Sequence, residues 1–395
     1  MADAADPEDI GGVALAAAFS AEVVEPLLAQ HLPQLRYAAA LIGPGSEILG
    51  FDDSTSRDHD WGPRLMLFLE PPDHAEHAAA IVELLRGSLP TQFRGYSTNF
   101  EQFEDDRAEG PEIGTTTEGE AGAVQHRVVI HTVEEYLTDY LGANPLAAGG
   151  LRPQQWLAIP QHKLRTVAEG GVFRDDVGTL TAARAVVAGY FPRDVWLYML
   201  HASYARLGQL SHFMGRCGQS GDELGSRLIA AQLVRDVMHL CFLLERVYAP
   251  YAKWFGTGFA RLRCAATMTP HLHAAMDGGG LGASAEEGWK ARDAALARVY
   301  ELLGEALDAA GVLPPQPAGS HVRQFWDRPF RVPNVAGGPE EEWVTTQLAA
   351  AVEDEELRRL CKERPIGAAE QHLDSTDVLE RPELLARLAE AAYRL

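Results

Sequence analysis

The sequence predicts an α+β fold, with a mixed α/β domain over residues 14–150 followed by an α-helical domain over residues 151–395. Two observations support this division. Three short, mostly apolar runs at 37–42, 64–69 and 127–133 are typical of buried strands, and all three lie in the first 150 residues. After Pro153 strand signals almost vanish, and apolar residues recur at spacings of three and four, as on the buried face of a helix.

The first domain is predicted to alternate strands and helices. A helix over 14–36 precedes the strand 37–42, which runs into the turn Gly43-Pro44-Gly45. The strand 64–69 stops at Glu70-Pro71-Pro72 and is followed by a helix over 75–86. The acidic stretch 101–122 is rich in Gly and Thr and is interpreted as a loop, and the strand 127–133 leads into a helix over 134–141.

The second domain is predicted to be helical throughout. Pro192 suits the first turn of a helix whose apolar residues, from Trp196 to Met214, share one face. The same pattern recurs over 228–247, and further helices are predicted over 286–310, 340–362 and 382–395. The glycine-rich stretch 277–284 is predicted to be a loop that divides these helices into two groups.

Charge and composition restrict the classes of partner. The chain is 46% hydrophobic and 23% charged, as in a soluble globular protein, and its formal net charge is −22. Such a charge repels phosphate backbones, so we expect no nucleic-acid partner. A small anionic ligand remains compatible with this charge, because a bound Mg²⁺ reverses the local field.

Neither a membrane nor an oxidising compartment is indicated. The N-terminus is acidic and polar, which is not the pattern of a signal peptide, and the apolar stretch 228–247 is interrupted by five charged or His residues. The cysteines Cys217, Cys241, Cys264 and Cys361 lack metal-ligand spacing and are interpreted as reduced thiols rather than a disulfide framework. We therefore predict a cytoplasmic protein without a membrane partner.

The most informative stretch joins the first two strands. Gly45 and Ser46 follow the first strand, and backbone N–H groups in such a turn, with a Ser hydroxyl, can hold a triphosphate. Asp58 and Asp60 come just before the second strand, and in an extended segment residues i and i+2 point the same way. Two carboxylates at one point could hold one or two Mg²⁺ ions that bridge the phosphates.

A simpler interpretation treats Asp58 and Asp60 as turn and capping residues of an acidic surface loop. The flanking strands favour the metal site over this alternative. Core packing and a local salt bridge are the corresponding alternatives for Trp61 and Arg64, which follow the acidic pair.

The Gly-Ser turn followed by Asp-x-Asp resembles the motif of the DNA polymerase beta-like nucleotidyltransferase superfamily. More narrowly, the chain resembles an uncharacterised bacterial family, domain of unknown function 4037. The stretches that carry this resemblance are GSEILGFDDSTSRDHDWGPRL, IHTVEEYL, DELGSRLIAAQLVRDVMHLCFLLERVYAPYAKWFG and DSTDVLERPE. The resemblance implies an N-terminal nucleotidyltransferase-like domain and a C-terminal helical bundle, and it implies no particular substrate.

The resemblance also implies a third carboxylate on a later strand, which helps to hold the catalytic metal and can accept a proton. The strand that should carry it reads Arg127-Val128-Val129-Ile130-His131 and contains no acid. We expect the missing acid near Val129. His131 has the same strand facing and is a candidate base, although core packing is its alternative, and Glu134 and Glu135 would have to reach back.

A second polar cluster is predicted on the helix over 228–247. Arg227, Arg235 and His239 are separated by multiples of four residues and form a stripe along one face. One interpretation is a solvated face, with Asp222 and Glu223 complementing the N-terminus of the helix. The functional alternative places Arg235 or Lys253 against nucleotide phosphates, and Asp222, Glu223 or Tyr251 against an acceptor substrate.

The predicted activity is a Mg²⁺-dependent transfer of a nucleoside monophosphate from a nucleoside triphosphate, ATP above others, to a hydroxyl or amine of a small molecule. The predicted catalytic residues are Asp58, Asp60 and His131, with Asp58 and Asp60 as metal ligands. Gly45, Ser46, Arg235 and Lys253 are the predicted nucleotide-binding residues. The alternatives are a nucleotide-binding protein that has lost turnover, and an enzyme that uses the pocket for other chemistry, such as a biosynthetic reaction.

Overall fold

The computed structural model describes residues 10–53, 55–57, 61–104, 111–116, 123–280, 282–315, 321–335 and 344–393. The chain folds into two compact units. The first comprises Met1–Leu151 and Lys163–Gly189, and the second comprises Arg152–His162 and Tyr190–Leu395.

The first unit combines a mixed sheet with helices. Its strands are β1 Tyr37–Leu41, β2 Arg64–Leu69, β3 Gln92–Phe93, β4 Tyr96–Ser97, β5 Phe100–Glu104, β6 Pro111–Thr115, β7 Arg127–His131 and β8 Gly171–Asp175. Its helices are α1 Gly12–Phe19, a π-helical segment Ser20–Val24, α2 Glu25–His31, a 3₁₀ turn Glu47–Leu49, α3 Pro71–Ser88, α4 Val133–Leu141, most of α6 Gln161–Glu169, and α7 Thr179–Ala188.

Four of these strands form one sheet with the order β7-β2-β1-β8. β1 is antiparallel to both β2 and β8, and β2 is parallel to β7. Met66 of β2 is paired with Ala40 on one side and with Val129 on the other. This register decides which side chains share a face of the sheet, because successive residues of a strand point to opposite faces.

One face of the sheet carries the core of the first unit. Leu65, Leu67 and Leu69 of β2 are buried there together with Val128 of β7 and side chains of α1, α2 and α3. The opposite face carries Arg64, Met66 and Phe68, with Val129 and His131 beside them. The side chains of β2 that face the core are therefore all apolar, and those on the opposite face are both charged and apolar.

The helical run Gly12–His31 has a mean hydropathy of 1.5 and, by length and composition, could cross a membrane. Its side chains Leu15, Phe19, Val24 and Leu28 are instead buried in the core beneath the sheet. These four side chains pack as those of a core helix do, and 39% of the segment is buried. The cytoplasmic location stays a prediction.

Two segments of the first unit differ from the sequence-based expectation. Strands β5 and β6 form an antiparallel hairpin within the stretch 101–122, which was expected to be a loop. Strand β8 lies in the region expected to be purely helical, and it pairs with β1 at the edge of the sheet. A single five-residue strand that ends in two charged residues has too little periodicity to identify β8 before its partner is known.

The second unit is helical except for the hairpin of β9 Val322–Gln324 and β10 Arg331–Pro333. Its helices are α5 Pro153–Ala158, α8 Arg193–Gln219, α9 Glu223–Glu245, a 3₁₀ turn Ala252–Trp254, α10 Phe255–Phe259, α11 Ala265–Asp277, α12 Ala285–Ala309, α13 Val344–Ala351, α14 Glu355–Glu363, α15 Ala369–His372, α16 Thr376–Leu379 and α17 Pro382–Tyr393. The predicted helix over 340–362 is two helices, and its residues 340–343 lie outside the described parts of the chain.

The long helices α8, α9 and α12 form the centre of the second unit. Trp196 of α8 is 1% exposed, and its indole N–H donates to the Leu243 carbonyl of α9 at 2.8 Å. The α+β class predicted from the sequence is confirmed by these two units. The boundary between them differs from 150/151, because β8 and the helices around it, residues 163–189, fold with the first unit.

Candidate functional site

The loop after β1 lies at the edge of the sheet where β2 and β7 begin. β1 ends beside the start of β2, since the two strands are antiparallel and Ala40 is paired with Met66. Arg64, the first residue of β2, is paired with Arg127, the first residue of β7. The glycine loop, defined here as residues 43–46, therefore shares one edge with the segment that enters β2.

The backbone of the glycine loop requires glycine at two positions. Gly43 has φ = 89° and Gly45 has φ = 141°, which are conformations that L side chains rarely adopt. A Cβ at Gly43 would collide with the hydroxyl of Tyr136, and the Gly43 N–H donates to the Thr166 carbonyl at 3.3 Å. The loop is thereby pressed between α4 and α6.

A buried ion pair fastens the glycine loop to β2. The Arg64 guanidinium contacts the Glu47 carboxylate and also donates to the Pro44 carbonyl at 2.9 Å. The side chains of Arg64 and Glu47 are only 10% and 5% exposed. Burial raises the pKa of Glu47, and the charge of Arg64 opposes that rise. The local salt bridge expected for Arg64 is present, and its effect is to hold the loop.

The segment that leads to Asp58 and Asp60 is anchored on both sides. The Asp52 carboxylate accepts hydrogen bonds from the Gly12 N–H at 2.8 Å and from the Trp61 indole N–H at 3.2 Å. Asp58 and Asp60 themselves lie outside the described residues. Their role as metal ligands stays a prediction. Asp52 and Trp61, which lie on either side of them in sequence, are hydrogen-bonded to each other.

The position expected for a third carboxylate is occupied by Val129. Val129 lies beside Met66 on the sheet face that carries Arg64, and it is half-buried. A valine side chain neither binds Mg²⁺ nor accepts a proton. In the described residues, no group of three or more His, Cys, Asp or Glu side chains could hold a metal ion. A cation near the glycine loop would therefore depend on Asp58 and Asp60.

His131 lies on the predicted face but at the far end of β7. It is paired with Phe68, four residues along the strand from Arg64, which corresponds to about 13 Å. The ring of Tyr136 lies 5.4 Å from the His131 ring and its hydroxyl donates to the Ile42 carbonyl at 3.4 Å, so Tyr136 stands between His131 and the loop. Burial lowers the pKa of His131, and His74 adds to this effect. This arrangement does not favour the predicted catalytic role.

The other candidate bases are not better placed. Glu135 accepts a hydrogen bond from the Thr132 hydroxyl at 3.0 Å, and that hydroxyl in turn accepts the Glu135 N–H at 3.2 Å. This reciprocal pair caps the N-terminus of α4. Glu134 follows Val133 on the same first turn and is exposed.

Two cations on α6 lie beside the glycine loop. Neither is among the site residues predicted from the sequence. Lys163 is 3% exposed and its ammonium lies 5.1 Å from the Tyr140 ring, while Arg165 is 5% exposed and lies 5.7 Å from the Phe51 ring. The neighbouring Thr166 bonds the loop at Gly43. The predicted boundary at 150/151 places both residues in the helical domain. They belong to the first unit because the chain returns to it there and forms β8.

In the second unit, Asp222 and Glu223 have structural partners. The Asp222 side chain caps α9 by accepting the Gly225 N–H at 2.8 Å. Glu223 contacts the fully buried guanidinium of Arg292 and accepts from Arg227 at 2.8 Å. Both carboxylates therefore stabilise the helical unit, as the solvated-face interpretation expects.

Arg235 and Lys253 occupy different environments in that unit. Arg235 donates to the Asp374 carboxylate at 2.8 Å, and its side chain is 51% exposed. Lys253 is exposed, with its ammonium 4.9 Å from the Trp254 ring. Their predicted contacts with nucleotide phosphates stay predictions.

The chain has similarities to known proteins at the level of one structure and one family model. No curated protein sequence matches it. Among solved structures, it is similar to a nucleotidyltransferase-like protein from Exiguobacterium sibiricum, with 11% identity, a TM-score of 0.30, and coverage of 74% of this chain and 78% of that chain. A TM-score of 0.30 is too low to carry an argument about fold or function.

A family model described as Domain of unknown function (DUF4037) matches residues 156–255. The matched stretch begins within α5, includes Lys163 and Arg165, and continues through α9. The glycine loop and Asp58-x-Asp60 lie before it. Residues 156–255 are thus similar to the domain of unknown function 4037 family, which confirms the resemblance seen in the sequence.

Proposed function

We propose that the chain binds a nucleoside triphosphate at the glycine loop and, with Mg²⁺, transfers its nucleoside monophosphate to a hydroxyl or amine of a small molecule. The observation that carries this proposal is the fastening of the loop to the entry of β2 by Arg64. In sequence, Asp58 and Asp60 precede Arg64 by six and four residues. A preformed loop, with two carboxylates close to it in the chain, suits phosphate and metal binding.

The residues have separate roles in this proposal. Backbone N–H groups around Gly45 and Ser46 hold phosphate oxygens, and Lys163 supplies positive charge near the loop in a chain of net charge −22, together with Arg165, which is paired with Glu169 at 3.0 Å. Asp58 and Asp60 would hold Mg²⁺, which when bound neutralises charge on the phosphates. ATP is the first nucleotide to test.

The transfer step forms a bond between the acceptor oxygen or nitrogen and the α-phosphorus. The bond from that phosphorus to the bridging oxygen breaks, pyrophosphate leaves, and the acceptor proton passes to a base or to solvent. His131 stays a proposed base only if Tyr136 moves aside, because that ring separates it from the loop.

A second candidate function is nucleotide binding without conventional transfer. Val129 favours it, because the position beside Met66 offers no third carboxylate. The two candidates share the binding step and differ in turnover, so one set of variants separates them.

The binding step is tested by calorimetry with each nucleoside triphosphate, with and without Mg²⁺. Asp58→Asn and Asp60→Asn should each weaken Mg²⁺-dependent binding at least about tenfold. Each variant removes a proposed ligand of the cation, and without the cation the remaining carboxylate repels the triphosphate. Asp53→Asn is the matched control, because Asp53 lies in the same acidic segment and accepts the N–H groups of Thr55 and Ser56 within a turn. Equal affinity in wild type and both variants would remove the site.

The transfer step is tested by pyrophosphate release across a panel of small-molecule acceptors. If the missing carboxylate limits turnover, Val129→Asp should raise release, and Val129→Asn, which has the shape without the charge, should not. Robust release by wild type that Val129→Asp leaves unchanged would eliminate the second candidate and the argument from Val129.

A further inference from the structure

The second unit contains a polar cavity of about 370 Å³. Its walls are α8, α9 and the segment that carries α15, which contribute Arg206, Arg235, His239, Glu370 and Asp374 among others. We call it the α8–α9 cavity. Its size is in the range of sites for small molecules.

Two arginines line one part of the α8–α9 cavity. Arg206 uses its Nε to bond both oxygens of Asp236, at 3.1 and 3.0 Å, and Arg235 uses one terminal nitrogen to bond Asp374. In the described parts of the chain, no hydrogen bond is formed by the terminal nitrogens of Arg206. A guanidinium has five N–H donors, so both groups retain donors for a ligand.

Two other polar atoms of the cavity walls are shielded from solvent and lack a hydrogen-bond partner among the described residues: Glu370 Oε1 and His239 Nδ1. The other Glu370 oxygen accepts the Gln161 N–H at 2.6 Å. Burial, with the charges of Arg235 and Arg206 adding to it, lowers the pKa of His239 to about 3, so its ring is neutral at pH 7. Buried polar atoms are nearly always satisfied, and these two orphan atoms lie behind the cavity lining, since they have essentially no accessible surface.

The wall that carries Glu370 is held rigidly. Gln371 donates to the Ser203 hydroxyl at 2.5 Å and to the Met199 carbonyl at 3.3 Å, and it accepts the Ala368 N–H at 2.7 Å. The cavity therefore cannot collapse to satisfy its orphan atoms without breaking these bonds.

We infer that the α8–α9 cavity binds a small organic anion, whose carboxylate or phosphate is held by donors of Arg206 and Arg235 and whose hydroxyl or amine meets polar lining residues such as Gln232. Guanidinium groups match the geometry of both anions. Asp374, whose side chain is 59% exposed, occupies one terminal nitrogen of Arg235, so the anion is held by the remaining donors. This site uses none of residues 43–64 and does not depend on the proposed nucleotide site.

The test is isothermal calorimetry on the full chain, without nucleotide, using four probes that separate the parts of the ligand. Glycerate has a carboxylate and hydroxyls, glycerol 3-phosphate has a phosphate and hydroxyls, glycerol lacks the anion, and inorganic phosphate lacks the hydroxyls. We expect binding of glycerate or glycerol 3-phosphate, weaker binding of phosphate, and none of glycerol. The stronger of the first two identifies the anion.

Arg235→Gln should weaken that binding about tenfold, because it removes charge-assisted hydrogen bonds from the anion. Arg227→Gln is the matched control, since Arg227 lies on the same helix in a surface ion pair with Glu223 and outside the cavity. The imidazole resonances of His239 provide a readout that needs no variant, and they should shift with the bound probe. Binding of neither anion, or equal loss in both variants, would overturn the inference, as would an unperturbed His239.

Discussion

The glycine loop and the α8–α9 cavity use charged side chains in opposite ways. At the loop, Glu47 and Asp52 are occupied by Arg64, Trp61 and the backbone of Gly12. In the cavity, Glu370 and His239 keep shielded atoms without a partner in the described residues.

This difference indicates that the charged side chains of the two regions have different roles. Internal ion pairs around the loop hold a backbone shape, so that the loop is preformed for the proposed phosphate ligand. Unsatisfied polar atoms in the wall of a rigid cavity are costly in the folded state. The predictions below test whether loop charges stabilise the fold and cavity charges weaken it.

The largest effect is expected for Arg64→Ala. It leaves Glu47 buried without its partner, and removing one member of a buried pair costs about 3–5 kcal/mol. Urea denaturation of the full chain, followed by far-UV circular dichroism, measures the change. Arg94→Ala is the matched control, because Arg94 contacts Glu22 in an ion pair whose side chains are 44% and 51% exposed. Exposed pairs contribute only about 0–1 kcal/mol, so similar losses in both variants would contradict the role given to Arg64.

An intermediate effect is expected from Glu370→Gln, and it should depend on pH. Burial raises the pKa of Glu370 from 4.5 to about 7, with His162 opposing the rise. Between those values the unfolded chain loses a proton that the folded chain keeps, so this group's stabilisation is complete below pH 4.5 and is lost as the pH passes 7.

The glutamine variant removes this titration while keeping an acceptor for the Gln161 N–H. Its stability relative to wild type should therefore rise from pH 5 to pH 8, by at most about 3 kcal/mol. Thermal melts at the two pH values, without ligand, provide the measurement. A difference that stays constant with pH would show that Glu370 is ionised in the folded state.

The smallest effect is expected for Gly43→Ala, at about 1–3 kcal/mol of destabilisation. The substitution forces a positive φ on alanine and drives its Cβ into the Tyr136 hydroxyl. Tyr136→Phe should recover part of the loss, because it removes the atom that the Cβ meets. Gly87→Ala in α3, where a Cβ meets nothing, should be neutral or slightly stabilising. No recovery in the double variant would mean that backbone strain alone determines the cost.

Local patterns predicted much of the fold. The apolar runs of β1, β2 and β7 and the three-and-four spacing of α8, α9 and α12 are visible in the sequence, because burial of one face imposes a period on the residues. β8 was missed because only its pairing with β1, more than 120 residues away in sequence, shows that it is a strand. The hairpin β5–β6 was missed because the stretch 101–122 around it is acidic and rich in Gly and Thr.

For the candidate site, the sequence located the glycine loop and the acidic pair but not what surrounds them. Arg64 was expected to form a local salt bridge, and its partner Glu47 became visible only in the fold. Lys163 and Arg165 were overlooked because charged residues on a helix are usually solvated. His131 was a candidate base by strand facing, and the ring of Tyr136 now separates it from the loop.

By itself, the sequence determined the α+β class, the positions of most elements, the glycines of the loop and the absence of an acid in β7. These follow from residue type and short-range spacing, which are properties of the chain before it folds. Only the tertiary structure decided that the chain returns to the first unit as β8, that Arg64 holds the loop, and that α9 and α15 enclose a cavity with unsatisfied atoms. Those outcomes depend on pairings between residues far apart in sequence, and no local period encodes such pairings.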